Sequence, residues 1–372
     1  MAGRVILFGA TGYTGRLAAE AMTRAGLAPV LAGRSREALV DLVADLAAYA
    51  PIDAAPTWQQ ADVADPGSVR ALVRTPDDVL VSTVGPFARL GRPAVDAAVD
   101  AGCAYVDSTG EPGFIRRLFE SDEADARHTG ARLLPAFGYD YVPGNLAGAL
   151  ALRDARGAAA RVEIGYFVRG GMSMSSGTRA SAAGMVGEPP FALRGGRVTG
   201  AVGGVTSFDV AGDRLDAMPV GGSENFALPR QDPRLLDVGV YLGWAGRWTR
   251  LVHAGGQAVS LGARLPLVGG LMDRGLRWAT PPTTGEGPTR AQRAGGVSIA
   301  VARALDGVGR ELSRVHVEGP SPYDLTADLL AWGAAMLLTR QESGPGTLGP
   351  ADAFGLDALI DGCAALGLAR VD

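Results

Sequence analysis

An α/β fold, a doubly wound parallel sheet joined to a second, mixed α/β domain, follows from three observations. Short apolar runs alternate with helical periodicity through the first 145 residues. The first run leads straight into a glycine-rich turn that opens a helix. Beyond residue 161, glycine-punctuated segments alternate apolar and polar side chains as half-buried strands do. At 372 residues the chain is too long for one ordinary domain, and the pattern divides it at about residues 145 and 320.

The elements follow in order. Residues 5–8 (Val5-Ile6-Leu7-Phe8) form a buried strand. Leu17, Ala18, Ala21, Met22 and Ala25 then recur at helical spacing, and Gly26 closes that helix. Residues 29–32 make a second strand, and Ser35 caps a helix running to about Ala48. Residues 57–61 are a third strand, and Asp65-Pro66 has the capping chemistry for a short helix. A fourth strand covers 79–84, and a helix from Pro93 ends at Gly102. Residues 104–106 and 133–136 supply two more strands, with a helix from about Pro112 between them. The second half is β-rich from 161 to about 213, as in 162–168, and a helical pattern at 181–186 interrupts it. Residues 325–339 and 352–366 read as two final helices, joined by the loop Ser343-Gly344-Pro345-Gly346.

The glycine turn carries the first chemical signal. A strand, a tight turn and a helix N-terminus set backbone N–H groups and the positive end of a dipole against a pyrophosphate. In Gly9-Ala10-Thr11-Gly12-Tyr13-Thr14-Gly15, Gly9 permits the turn, Gly12 lets the backbone approach the phosphates, and Gly15 lets helix and strand pack closely. Gly9, Thr11, Gly12, Tyr13, Thr14 and Gly15 are therefore the expected contacts of a Rossmann-type dinucleotide site. About 20 positions on, where NAD-binding folds carry an acid for the ribose 2′-hydroxyl, stands Gly33-Arg34-Ser35-Arg36. A guanidinium pairs with a 2′-phosphate where a carboxylate would repel it, so Arg34 and Ser35 point to NADP. Asp62 and Val63, after the third strand, are placed to meet the adenine. Val84, Gly85, Pro86 and Phe87, after the fourth, pass the nicotinamide ribose.

Composition excludes other classes. The chain has 35 basic and 39 acidic residues, net −4, which leaves no basic patch for nucleic acid or anionic lipid. It contains no lysine, so a Schiff-base lysine, a lysine acid and a Tyr-x-x-x-Lys pair are all excluded. Two cysteines, Cys103 and Cys363, are too few for a disulfide framework or thiolate cluster, and fit a reducing, cytoplasmic setting. The three histidines, His128, His253 and His316, are scattered, so no metal site is expected. No Gly-x-Ser-x-Gly elbow supports a hydrolase. Residues 1–8 do not read as a signal peptide, and no uncharged run approaches the length of a membrane span. Residues 235–279 are apolar with scattered arginines and include Trp244, Trp248 and Trp278. They read as core and interface helices, as the wall of a pocket for a greasy substrate, or as an amphipathic membrane-facing surface.

The glycine turn, Ala32-Gly33-Arg34, Val84-Gly85-Pro86-Phe87, Tyr105-Val106-Asp107-Ser108-Thr109-Gly110-Glu111 and Gly138-Tyr139-Asp140-Tyr141-Val142-Pro143 occur in order at plausible spacings. Together they resemble the saccharopine dehydrogenase-like oxidoreductases, and among these the trans-acting enoyl reductases of lipid and polyketide pathways. Ser176-Gly177-Thr178-Arg179-Ala180-Ser181 and Tyr323-Asp324-Leu325-Thr326-Ala327 resemble two further elements of that group. The resemblance is dense over residues 4–145 and patchy beyond. It implies an NADP-binding domain at 1–145, a mixed α/β substrate and oligomerisation domain at 146–320, and C-terminal helices at 321–372 packing back on the core. It also implies a homodimer and a small-molecule or carrier-bound substrate.

The chain departs from the family in lacking the lysine that some saccharopine dehydrogenases use. Three classes of function stay open. One is reduction of a polarised C=C bond, such as an enoyl thioester, by NADPH. The second is imine or amino-acid reduction, with Arg169, Arg179 and Arg194 holding substrate carboxylates. The third is a non-catalytic NADP sensor. Reduction needs a proton as well as a hydride, and two loops reach the reactive end of the cleft, Asp107 to Glu111 and Gly138 to Tyr141. Tyr139 and Tyr141 are the expected donors, with Asp140 as an orienting partner. The same Tyr-Asp-Tyr run also suits a domain hinge.

Overall fold

β1 (Val5–Phe8) is buried along its whole length, as a central parallel strand covered on both faces must be. The computed structural model of the chain describes residues 3–48, 50–51, 54–170, 174–185, 189–200, 203–263, 286–339 and 343–371. In it β1 lies between β2 (Val30–Gly33) and β4 (Val79–Ser82). β3 (Thr57–Gln60) flanks β2, while β5 (Ala104–Asp107) and β6 (Arg132–Leu134) continue beyond β4. All pairings are parallel, and the order β6-β5-β4-β1-β2-β3 reverses between β1 and β4. The expected doubly wound Rossmann-type sheet is present.

Local chemistry accounts for the connecting helices. α1 (Tyr13–Arg24) follows the glycine turn. Ser35 caps α2 (Arg36–Ala47) by accepting from the Ala38 N–H, and Asp65 caps α3 (Pro66–Arg70) by accepting from the Gly67 N–H. A one-turn helix, α4 (Phe87–Leu90), precedes α5 (Arg92–Ala101), which stops at Gly102 with φ +65°. α6 (Pro112–Arg117) runs through a π turn at Leu118–Asp122 into α7 (Glu123–Thr129). α4 carries no periodic pattern, and its N-terminus depends on a distant carboxylate described below.

The largest element that periodicity missed is α8 (Val142–Asp154). It is buried from Val142 to Leu152 on every side, so it lacks the polar face that betrays a surface helix. α8 packs against the second sheet, whose order is β10-β11-β12-β7-β13-β14-β16. The strands are β7 (Arg161–Arg169), β10 (Thr206–Val210), β11 (Asp213–Val220), β12 (Asp237–Leu242), β13 (Val297–Leu305), β14 (Glu311–Gly319) and β16 (Ala369–Arg370). β12 and β7 pair in parallel and the rest of that path is antiparallel, so the second sheet is mixed as expected. β8 (Phe191–Arg194) and β9 (Arg197–Gly200) form a hairpin against β12.

Three segments of the second half differ from the sequence reading. α9 (Ser176–Met185) starts five residues before the pattern at 181–186, and Val186 lies outside the described residues. The single helix expected at 352–366 is split at Gly355, whose φ of +78° no continuous helix tolerates. Gly346 and Thr347, in and just after the expected final loop, form β15, a short strand parallel to β6 at the edge of the first sheet. The helix Pro322–Thr339 packs on α1. Of the apolar stretch 235–279, residues 264–279, with Trp278, lie outside the described residues.

Candidate active-site cleft

The glycine turn opens one end of a cleft of about 490 Å³ at the carboxyl ends of the first sheet. Gly9 sits at φ +91°, where a Cβ would meet the Thr83 hydroxyl at 2.7 Å. A Cβ on Gly15 would lie 2.1 Å from the Gly9 carbonyl oxygen, so only glycine lets α1 approach the turn this closely. The N–H groups of Gly9 and Ala10 both donate to the Ala32 carbonyl, at 2.9 and 3.1 Å. α1 has no side-chain cap and no acid in its first turn, which leaves its positive end open to an anion. Behind the turn, the Tyr13 hydroxyl donates to the Pro288 carbonyl and accepts from Arg293 at 2.9 Å.

Of the expected cofactor contacts, Gly9, Thr11, Gly12, Tyr13, Thr14, Arg34, Ser35, Asp62, Val63, Val84, Gly85 and Phe87 line this cleft. Gly15 and Pro86 stand behind its wall and shape it. Arg34 is exposed, and among the described arginines only it lines the cleft; its carbonyl accepts from Gln60 at 2.8 Å. Arg36 instead stacks over Trp58, 5.4 Å from the ring centre. Asp62 closes its own turn by accepting from the Ala64 N–H at 3.0 Å.

The other end of the cleft is built by both sheets. Glu111 is buried, and its two oxygens accept from the N–H groups of Phe87 and Ala88, at 2.7 and 2.8 Å. Those are orphan donors of α4, so Glu111 supplies the cap that the local sequence lacks. Ser181 of α9 donates to the same carboxylate at 2.7 Å. The β5 carboxylate Asp107 accepts from the N–H groups of Thr109 and Ala136, at 2.9 and 2.8 Å, and burial pushes it up to about 6. Ser175, Ser176, Gly177 and Thr178 of the α9 segment, with Val220, Leu242 and Trp244, close the far wall.

The Tyr-Asp-Tyr run is divided by the fold. The Tyr139 hydroxyl donates to the Phe167 carbonyl at 3.0 Å and accepts from the Trp244 indole at 3.3 Å, and burial raises it above the ordinary tyrosine range. The Tyr141 hydroxyl donates to the Gly221 carbonyl at 2.9 Å, on a backbone held at φ +88°. Both hydroxyls are engaged by main-chain oxygens. Asp140 faces the cleft, and burial pushes its carboxyl up to about 7. Tyr141 lines the main cleft, whereas Tyr139 lines a side chamber of about 70 Å³.

Sequence reasoning missed a pair in the wall, Tyr166, which lines the cleft, and Glu224 behind it. The Tyr166 hydroxyl donates to Glu224 at 2.5 Å and accepts from the Gly144 N–H at 3.0 Å. Glu224 is fully buried with its second oxygen unpartnered, and burial pushes it up to about 8. Gly144 and Gly222 make the room, since Cβ atoms there would lie 2.0 Å from the Tyr166 hydroxyl and 2.3 Å from Glu224. Glu224 stands between Ser223 and Asn225, so nothing local marks it as buried, and its partner lies 58 residues away.

The arginines expected for substrate carboxylates are elsewhere. Arg169 pairs with Glu318 at 3.0 Å, Arg179 donates to the Met174 carbonyl, and neither they nor Arg194 line the cleft. Among the described residues, no group of three or more His, Cys, Asp or Glu could hold a metal, and no helix is long and apolar enough to cross a membrane.

A doubly wound sheet with a glycine-turn cleft, faced by a second mixed sheet, defines a saccharopine dehydrogenase-like architecture. Saccharopine dehydrogenase (L-Glu forming) of Saccharomyces cerevisiae shares this fold, with a TM-score of 0.58 over 99% of both chains at 12% identity. In sequence, the trans-acting enoyl reductase of Mycobacterium leprae is 37% identical over 146 residues, 38% of this chain and 34% of the relative. A trans-acting enoyl reductase of Mycobacterium tuberculosis matches at 36% over the same shares. The chain thus spans about a third of the length of the curated relatives it matches. No family model matches the chain. The resemblance expected from the motifs stands on both counts, in fold with the first protein and in sequence with the other two.

Proposed function

We propose that the chain is an NADPH-dependent reductase that adds hydride to a polarised double bond, with an enoyl thioester on a carrier protein or coenzyme A as the acceptor. The observation that carries this reading is a single cleft with an uncapped, glycine-lined helix start at one end and a half-buried carboxyl between apolar walls at the other. The absence of Cβ atoms at Gly9 and Gly15 lets the turn close and α1 start against it, and the uncapped start of α1 fits a pyrophosphate. Gly9, Thr11, Gly12, Tyr13 and Thr14 would hold the phosphates, Arg34 and Ser35 a 2′-phosphate, Asp62 and Val63 the adenine, and Val84, Gly85 and Phe87 the nicotinamide side. The cofactor supplies a hydride when bound.

Residues 1–145 serve as the cofactor domain and 146–320 supply the substrate wall, with 321–372 packing back on the core. Val220, Leu242 and Trp244 exclude water from the reacting end, where a developing negative charge is stabilised more strongly by nearby donors. Among the described residues no arginine apart from Arg34 lines the cleft, which supports a thioester over an amino-dicarboxylate. NADPH oxidation measured against crotonyl thioesters and cyclic imines tests the reading. Turnover of the thioester is the expected result. Turnover of imines alone, or tight NADPH binding with no turnover, overturns it.

A further inference from the structure

Hydride transfer to a conjugated double bond leaves an anion that needs a proton, and this chain has no lysine to provide one. No histidine lines the cleft or its side chamber. Three tyrosines line the main cleft, and each hydroxyl is already committed: Tyr13 to the Pro288 carbonyl, Tyr141 to that of Gly221, and Tyr166 to Glu224. Asp62 lies at the adenine end and caps its own turn. Asp140 is different. Its side chain makes no hydrogen bond or ion pair among the described residues, and it lines both the main cleft and the side chamber.

The chamber is polar. Thr14, Ser108, Thr178, Tyr323 and Thr326 bring hydroxyls to its wall, and about 70 Å³ holds a few water molecules. Gly110 lines the main cleft beside Asp140, and a Cβ there would lie 2.8 Å from its carboxyl. We propose that Asp140 is the catalytic acid of this cleft, passing its proton to the reduced substrate on one side and regaining one from the hydroxyl-lined chamber on the other. This inference rests on the reductase reading above.

The step balances. Hydride from the reduced nicotinamide forms a C–H bond at the β-carbon, and the π electrons of the C=C bond move onto the thioester as an enolate. The Asp140 O–H bond breaks as its proton bonds the α-carbon, and the carboxylate is reprotonated by water. Burial, with no compensating cation beside it among the described residues, is what raises the Asp140 carboxyl. The titratable groups that interact with it are Tyr139, next to it in the chain, and Glu224, which is bonded to Tyr166 in the wall, and neither is a cation. Burial pushes Asp140 up to about 7, so a substantial share of it carries a proton near neutral pH.

The test combines kinetics with infrared titration of the protein without acceptor. In Asp140→Asn, NADPH affinity should hold while thioester reduction falls by about 100-fold or more. The native protein should show a protonated-carboxyl band that titrates near neutral pH and disappears in Asp140→Asn, while Asp140→Glu restores part of both signals. Near-native rates in Asp140→Asn, or no carboxyl band assignable to this residue, would overturn the proposal. If the native protein reduces no acceptor, the reductase reading falls, and the titration alone decides whether Asp140 stores a proton.

Discussion

Ser181 of α9 donates to the buried carboxylate of Glu111 at 2.7 Å, joining the α9 segment to the loop after β5 at the end of the cleft opposite the glycine turn. The same carboxylate caps α4 through Phe87 and Ala88. One side chain therefore sets the position of a cleft wall on each side.

Replacing Glu111 with Ala should cost roughly 1–3 kcal/mol of stability, because the buried Phe87 N–H loses its partner. Ser181→Ala removes one bond of three and should cost less. Denaturant unfolding of the two variants checks the order. Equal, negligible losses would mean that water replaces the carboxylate without penalty.

Arg34→Asp should weaken NADPH by roughly 1–3 kcal/mol, or about 5- to 150-fold, and leave NADH nearly unchanged. Calorimetric titration with both nucleotides measures the split. Comparable native affinities for NADPH and NADH would remove the role given to Arg34.

The two turn glycines should separate folding from binding. Gly15→Ala sets a methyl 2.1 Å from the Gly9 carbonyl and should destabilise the fold by at least about 1–3 kcal/mol. Gly12→Ala meets its nearest neighbour only at 3.3 Å, so it should fold and lose nucleotide affinity. Thermal melts paired with binding isotherms test this, and a well-folded Gly15→Ala with native affinity would contradict it.

Stability should fall as pH rises between about 4 and 8. Asp107, Asp140 and Glu224 are pushed up to about 6, 7 and 8, whereas in the unfolded chain such carboxyls titrate near about 4. In that window the native state holds more protons than the unfolded one, so each pH increment favours unfolding. The melting temperature should therefore be higher at pH 5 than at pH 8. Glu224→Gln should flatten the slope, and an unchanged profile in that variant would show that Glu224 is not among the groups responsible.

Much of the first domain was legible because its signals are local. A strand of four apolar residues, a turn that only glycine can make, a Ser35 cap and an Asp65-Pro66 start each depend on residues within a few positions. The cleft contacts from Gly9 to Phe87 followed, since a parallel sheet delivers the ends of its strands to one edge. The second domain was less legible. α8 is apolar on every side, so burial erased its period, and β15 is only two residues long and exists because β6 offers a free edge. Side-chain roles within the Tyr139-Asp140-Tyr141 run were decided by tertiary structure alone. Three adjacent polar residues are equivalent candidates in sequence. The carbonyls of Phe167 and Gly221, brought in from elsewhere in the chain, occupy the two tyrosine hydroxyls and leave the carboxyl between them facing the cleft.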